Sequence, residues 1–172
     1  MIVSHSCVYS ICPHRRNLKD DQIKAVGKNG GVIHLNFYSG FLDSNFATRK
    51  QKFNTAHAKE LDSLKALKHQ DFEIDFVMAR KYPDEVQSLR PPLSLLLDHL
   101  DHIVKLIGVE GVGIGSDFDG IESTPQGLDD VADTPNITKG LLERGYSKKE
   151  VKKILGGNFL RIFEAAQVSV SK

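Results

Sequence analysis

Three short stretches hold the side chains best able to do chemistry. The first is Val112-Gly113-Ile114-Gly115-Ser116-Asp117-Phe118-Asp119-Gly120, an apolar strand pattern that halts on two carboxylates. In parallel α/β folds the loops leaving the strands converge at the strands' C-terminal ends, and ligands bind there. Asp117 is therefore the first candidate for a general acid or base. Taken in isolation, Asp119-Gly120 reads as a turn that simply ends the strand. The second stretch is Ser4-His5-Ser6, where a histidine closing the opening strand can present an imidazole nitrogen to a divalent metal. A lone histidine is not a site, because such metals take three or four convergent ligands. The third is Arg15-Arg16-Asn17. A guanidinium there can clamp a carboxylate through two parallel hydrogen bonds, or lie on the surface ahead of a helix cap.

Other reactive residue types offer less. His99 and His102 are spaced to share a helix face, but Asp98 and Asp101 flank them and the apolar stripe lies opposite, so the spacing predicts solvated helix surface. His34 is expected in packing or in a barrel interior, and His14, His57 and His69 lack partner spacing. Cys7 and Cys12 are too few for a disulfide framework and lack the second pair of a four-cysteine zinc site. No base stands near either, so neither is assigned a catalytic role. An EF-hand loop at Asp117 fails because the glycine comes too early and no Glu follows at the twelfth position. Asp117-Phe118-Asp119-Gly120 also resembles the nucleophile motif of haloacid-dehalogenase-like phosphohydrolases, with Asp117 attacking phosphorus. That motif normally opens its domain, Ile121 stands where a Thr is usual, and too little chain follows Gly120 for the later motifs.

The elements that must position these residues alternate between strands and helices. Ile2-Val3-Ser4 reads as a strand that begins without a lead-in. Asn17 is the expected N-cap of a helix with Asp20 and Asp21 in its first turn, Ile23 and Val26 on its apolar face, and Gly30-Gly31 as its stop. Val32 to Phe37 is a β-branched, apolar strand ending in Tyr38-Ser39-Gly40. Composition then turns polar and charged from about Asp43 to Arg90. Leu61, Leu64 and Leu67 form a thin stripe there, which predicts a helical insertion over 45–90, a solvated excursion without a catalytic part. Residues 91–120 hold an amphipathic helix, Leu93 to Ile107, with Leu96, Leu100, Ile103 and Ile107 on one face, followed by the last strand. Residues 121–172 read as C-terminal helices. Thr134 caps one before Pro135 and Gly145 ends it. Ser147 and Glu150 have capping-box spacing ahead of Val151, Ile154 and Leu155. Gly156-Gly157-Asn158 breaks the helix, and Phe159 to Ala166 resumes it with Phe159, Leu160, Ile162 and Phe163 as packing residues. The fold class is α/β: one partial domain over 1–172, about three strand-helix units plus a helical insertion. Three strands cannot close an eight-stranded barrel, which typically takes about 250 residues. The sheet is open or the chain is incomplete.

Composition narrows the function classes. The 172 residues are 40% hydrophobic and 26% charged, ordinary for one globular core. Lys plus Arg number 23 against 22 for Asp plus Glu, a formal net charge of +1, and no basic stripe marks a nucleic-acid partner. No apolar run approaches the roughly 18 to 20 residues of a membrane span, and the first residues lack the charged and apolar regions of a signal peptide. The compartment stays open, with a cytoplasmic and an exported parent protein both compatible.

Taken together, Ser4-His5-Ser6, Arg15-Arg16-Asn17, Asn36-Phe37-Tyr38, Gly115 to Gly120, Gly127-Leu128-Asp129-Asp130 and Gly157-Asn158 with Arg161-Ile162-Phe163 resemble, in order and spacing, the membrane (renal) dipeptidase family. The resemblance covers the chain apart from the charged insertion. It implies a zinc-dependent metallopeptidase of dipeptides, built on a (β/α)8 TIM-type barrel with two metals at its C-terminal mouth. This chain looks like the C-terminal portion, the last three strand-helix units. By resemblance His5 is a ligand of one zinc, Arg16 binds the dipeptide's terminal carboxylate, Asp117 handles protons at the attacking water, and Asp119 shapes the loop. The family's early His-x-Asp pair, its bridging Glu, a second ligand His and a substrate-contacting His have no counterpart, so His5 is the one metal ligand implied. Met1 directly before the strand fits a truncated reading frame or a fragment. The expectation is a parent dipeptidase, homodimeric as in the family, of which this chain alone is inactive or needs the missing half. A magnesium-dependent phosphohydrolase using Asp117 and a non-enzymatic remnant acting as an interaction module stand as alternatives.

Overall fold

The computed structural model describes residues 1–170, with side chains to residue 167. Along the chain the elements are β1 (Ile2–Ser6), α1 (Asp20–Lys28), β2 (Val32–Asn36), α2 (Ser39–Leu42), α3 (Phe46–Ala56), α4 (Ala58–Ala66), α5 (Asp71–Lys81), α6 (Pro83–Leu89), α7 (Leu93–Ile107), β3 (Val112–Ser116), α8 (Thr134–Glu143), α9 (Lys148–Lys152) and α10 (Asn158–Val170). The three strands form one parallel sheet in the order β1-β2-β3. This is an α/β fold with a small parallel sheet and many helices. No helix among the described residues is long and apolar enough to cross a membrane.

Strand alternation divides the sheet into two faces. Ile33 and Leu35 enter one core with Ile23 and Val26 of α1, Leu96, Leu100 and Ile103 of α7, and Ile137 and Leu141 of α8. His34 and Asn36 point to the other face. There β3 carries no side chain beside His34, since a Cβ at Gly113 would lie 2.4 Å from the His34 ring. At Gly115 a Cβ would lie 2.5 Å from the Ser4 carbonyl oxygen, so the sheet curls until the ends of β1 and β3 approach each other. Both ladders slip at this level: Val3↔Ile33 gives way to Ser6↔Leu35, and Leu35↔Ile114 to Asn36↔Ser116. Each slip inserts one extra residue, a device that re-aims side chains at a sheet's rim.

Several local expectations hold. Ser147 and Glu150 form the capping box, with the Ser147 hydroxyl accepting from the Glu150 N–H, and Gly145 takes φ +88° just after α8. Others are corrected. The N-cap of α1 is Lys19, whose N–H donates to the Gln22 side chain at 2.9 Å. Asn17 is instead buried and donates from Nδ2 to the carbonyls of Cys12 and Phe41, both at 2.8 Å, which ties the loop after β1 to α2.

His99 is not solvated surface but fully buried. Its Nδ1 accepts from the Val8 N–H at 3.0 Å and its Nε2 donates to the Leu42 carbonyl at 3.0 Å, so both ring nitrogens are satisfied by backbone. Burial pushes the ring down to about 4, against the opposing pull of the Leu42 carbonyl and Asp98. His102 is partly exposed and pairs with Asp20 at 2.8 Å. The expected packing of Phe159, Leu160 and Phe163 is also corrected: they are 40%, 54% and 49% exposed. Asn158 is the anchor of α10, donating to the carbonyls of Val109 and Val112. Arg161 reaches the carbonyls of Gly30 and Glu110, placing α10 across the N-terminal ends of β2 and β3.

Helices α3–α6 gather a second small core of Phe53, Ile74 and Met78, joined by Leu61 and Leu64, while Leu67 stays exposed. They are also tied to the strand-end loops. Arg49 donates to Asp43 and to the Leu89 carbonyl, and Arg90, just past α6, donates to Thr124, Pro125 and Asp129.

Candidate active site

At the C-terminal end of β1 the bulge brings Ser4, His5 and the following loop together. The His5 ring lies between the Ser4 hydroxyl, 2.7 Å from Nδ1, and the Arg16 guanidinium, 3.2 Å from Nε2. Arginine carries only donors, so Nε2 accepts and the ring proton sits on Nδ1, donated to Ser4. The Arg16 backbone is fixed at both ends: its N–H donates to His14 Nδ1 at 3.2 Å and its carbonyl accepts from the Ser6 hydroxyl at 2.8 Å. Its guanidinium lies 5.8 Å over the Phe41 ring, exposed and able to meet an anion. Burial, followed by Arg15 and Arg16, holds His14 below the usual imidazole range.

At the end of β3 the backbone enters the left-handed region twice in succession, with Ser116 at φ +49° and Asp117 at φ +86°. Non-glycine residues hold this conformation only when their surroundings enforce it. Here the Phe37 N–H donates to the Ser116 carbonyl at 2.9 Å, and the Gly120 N–H to the Asp117 carbonyl at 3.0 Å. The Asp117 carboxylate accepts from Asn36 Nδ2 at 2.8 Å through Oδ2. Its Oδ1 lies over Gly120, where a Cβ would come within 2.5 Å. Asp119 is exposed.

A second polar group stands beside this one. The Tyr38 hydroxyl donates to Glu122 at 2.7 Å, and Lys50 of α3 bridges Glu122 at 3.3 Å and Asp75 at 3.5 Å. Burial pushes the Tyr38 phenol up, reinforced by Glu122. Burial also pushes Glu122 up, but the Tyr38 hydroxyl and Lys50 outweigh it and hold the carboxyl below its usual range. Asp75 is raised by burial, against Lys50. A cavity of about 630 Å³ opens beside Tyr38 and Lys50, lined also by His14, Phe46 and Asn54.

The residues singled out in the sequence thus occupy one end of the sheet as two touching pairs, His5 with Arg16 and Asp117 with Asn36. Among the described residues no hydrogen bond joins one pair to the other. The sequence reading gave no role to Asn36 and placed no chemistry in the insertion that supplies Lys50. The available signal for Asn36 was a lone amide closing a β-branched run. For Lys50 there was none, since its carboxylate partners lie far along the chain.

The residues do not by themselves fit a zinc site. Among the described residues no three His, Cys, Asp or Glu side chains converge. His5, the single expected ligand, has its Nε2 lone pair directed at a guanidinium, and a metal there would have to displace Arg16.

The family model for membrane dipeptidase (Peptidase family M19) matches residues 1–172. Dipeptidase 3 of Macaca fascicularis is 29% identical over 167 residues, covering 97% of this chain and 25% of that protein. An uncharacterized dipeptidase of Schizosaccharomyces pombe is 29% identical over 169 residues, covering 98% of this chain and 31% of the relative. The solved structure of dipeptidase AC, a metallopeptidase, superposes with a TM-score of 0.64 at 25% identity over 92% of this chain and 35% of that one. The chain therefore spans about a quarter to a third of the length of the curated relatives it matches.

Proposed function

Because the chain belongs to the membrane dipeptidase family, Peptidase family M19, we propose that it forms one wall of a metal-dependent dipeptidase mouth. In this reading it is the last three strand-helix units of a (β/α)8 barrel. The observation that carries the proposal is the gathering of His5–Arg16 and Asp117–Asn36 at the C-terminal end of one parallel sheet, the end where such folds do chemistry.

Arg16 binds the terminal carboxylate of the dipeptide. Its guanidinium is exposed, held over Phe41, and engages His5 through one nitrogen only, so its remaining donors can take a carboxylate in two parallel bonds. That clamp fixes the scissile bond one residue away. Asp117 takes a proton from the attacking water as the water oxygen bonds to the carbonyl carbon, and returns it to the amine nitrogen as the C–N bond breaks. The other metal ligands would come from family units outside this chain, and His5 would join them only if the guanidinium leaves its Nε2 altogether for the substrate carboxylate. On that account the chain alone does not hydrolyse dipeptides.

The test is a dipeptide hydrolysis assay with added zinc, on this chain alone and combined with a polypeptide carrying the family's preceding strand-helix units. Hydrolysis is expected from the combination only. Asp117→Asn should lower kcat by about a hundredfold or more, and Arg16→Met should act mainly on KM. Turnover by the isolated chain would overturn the assignment of the missing ligands. Failure of every combination would sink the dipeptidase reading itself.

A further inference from the structure

Asn36 is fully buried, and every polar group it carries beyond its strand bonds is committed. Its carbonyl accepts from the Cys7 thiol at 3.3 Å, its Oδ1 from the Tyr38 N–H at 2.6 Å, and its Nδ2 donates to Asp117 Oδ2 at 2.8 Å. The Tyr38 backbone settles which way the amide faces. An N–H can only donate, so the atom opposite it must be the amide oxygen, and the NH₂ group then has to face Asp117. An asparagine held this way cannot turn an acceptor toward the carboxylate without taking the acceptor away from the part-buried Tyr38 N–H.

The carboxylate it meets is the one whose backbone is doubly left-handed, at Ser116 and Asp117. Asn36 holds Oδ2, while Oδ1 lies in space that Gly120 leaves open, where a Cβ would come within 2.5 Å of it. The two carboxylate oxygens are thereby made unequal. Oδ2 is occupied by a donor from the sheet, and Oδ1 is left at the rim.

We propose that Asn36 is a positioning residue for Asp117: by occupying Oδ2 it fixes the carboxylate's rotation and makes Oδ1 the atom that receives the proton. This rests on the reading of Asp117 as the proton-handling group. Tyr38 extends the brace outward, its N–H on Asn36 and its hydroxyl on Glu122, which Lys50 of the insertion also grips.

Two measurements separate the positioning role from the catalytic reading. In the isotopically labelled chain, the Asn36 side-chain NH₂ resonances should move with pH at the same midpoint as the Asp117 carboxyl carbon. Asp117→Asn should abolish that movement and leave the rest of the spectrum in place. Asn36 signals indifferent to both pH and Asp117→Asn would overturn the proposal. In the reconstituted combination, Asn36→Leu should lower kcat about a hundredfold, the scale of a misplaced catalytic group, with KM changed less than about twofold. If Asn36→Leu does not fold, Asn36→Asp keeps the acceptor for the Tyr38 N–H and sets a second carboxylate against Asp117. It should lower kcat while changing KM less than about twofold, and an unchanged kcat counts against the proposal. If the native combination shows no turnover, the dipeptidase reading fails while the resonance coupling still decides the role of Asn36.

Discussion

The two faces of the three-stranded sheet differ in how far this chain completes them. On one face Ile33 and Leu35 are fully buried under α1 and α7, and the core continues through Leu96, Leu100, Ile103, Ile137 and Leu141 without an exposed member. On the other, Gly113 and Gly115 leave room for the His34 ring and the Ser4 carbonyl. The His34 ring meets Phe159 of α10, ring centroids 5.8 Å apart; Phe159 is 40% exposed, and Phe163 stacks on it. The helix-covered face is a finished core, with α1 packed on β2 and α7, and α7 packed in turn on β2, β3 and α8. The glycine-bearing face is finished only near the strand ends, where two separate polar pairs form, His5 with Arg16 and Asn36 with Asp117. Stability and chemistry are thus drawn from opposite sides of the same strands, a division that follows from strand alternation.

The sharpest break of this comparison is a deletion in the finished core. Leu100→Ala removes a fully buried side chain of α7, and such changes cost about 2–5 kcal/mol because the surroundings collapse only in part. Urea unfolding should show a loss in that range with an unchanged slope. A loss below about 1 kcal/mol would mean that this face is as loosely built as the other.

The next effect comes from a polar group placed inside the same core. Burial holds His99 neutral, down to about 4 against an ordinary 6.5. Below pH 6.5 the unfolded chain takes up a proton that the folded chain refuses. The stabilisation is therefore complete above that pH and is lost as the pH falls toward 4, an amount on the order of 3 kcal/mol. Unfolding free energies measured between pH 7 and 4 should fall accordingly, and His99→Gln should flatten the dependence within that window. A His99→Gln variant with an unchanged slope would show that the carboxylates alone govern it.

His99 also shows what the sequence could and could not disclose. The strands were legible because β-branched runs end on turn residues, and the α9 cap because Ser147 and Glu150 interact three residues apart. Strand-end position singled out Asp117, whereas His5 and Arg16 drew their expected roles only from the family resemblance. His99 was illegible because helical spacing assigned it to the face of Asp98 and Asp101, whereas its partners are backbone groups of Val8 and Leu42, 91 and 57 residues away. Asn17 misled for a related reason. An asparagine ahead of two aspartates matches a helix cap, but its amide is drawn into the loop by Cys12 and Phe41. The His5–Arg16 contact depends on a one-residue slip in β1 that no periodicity signals. Long-range satisfaction of buried polar groups is the common element in what stayed hidden.

The smallest expected effect belongs to the unfinished face. Phe163 is a large apolar residue, and by composition alone its removal resembles the Leu100 deletion. It is nevertheless half exposed, stacked on Phe159 with ring centroids 6.0 Å apart. Little water-excluded area is lost when it is truncated, and Phe163→Ala should change the unfolding free energy by less than about 0.5 kcal/mol, as surface substitutions usually do. Its effect should appear elsewhere. Exposed aromatic rings recruit hydrophobic dyes and neighbouring chains, so Phe163→Ala should lower dye binding and raise solubility while leaving the Leu100 core intact. If Phe163→Ala instead destabilises the isolated chain as much as Leu100→Ala does, the two faces are one core and the contrast drawn from their burial fails.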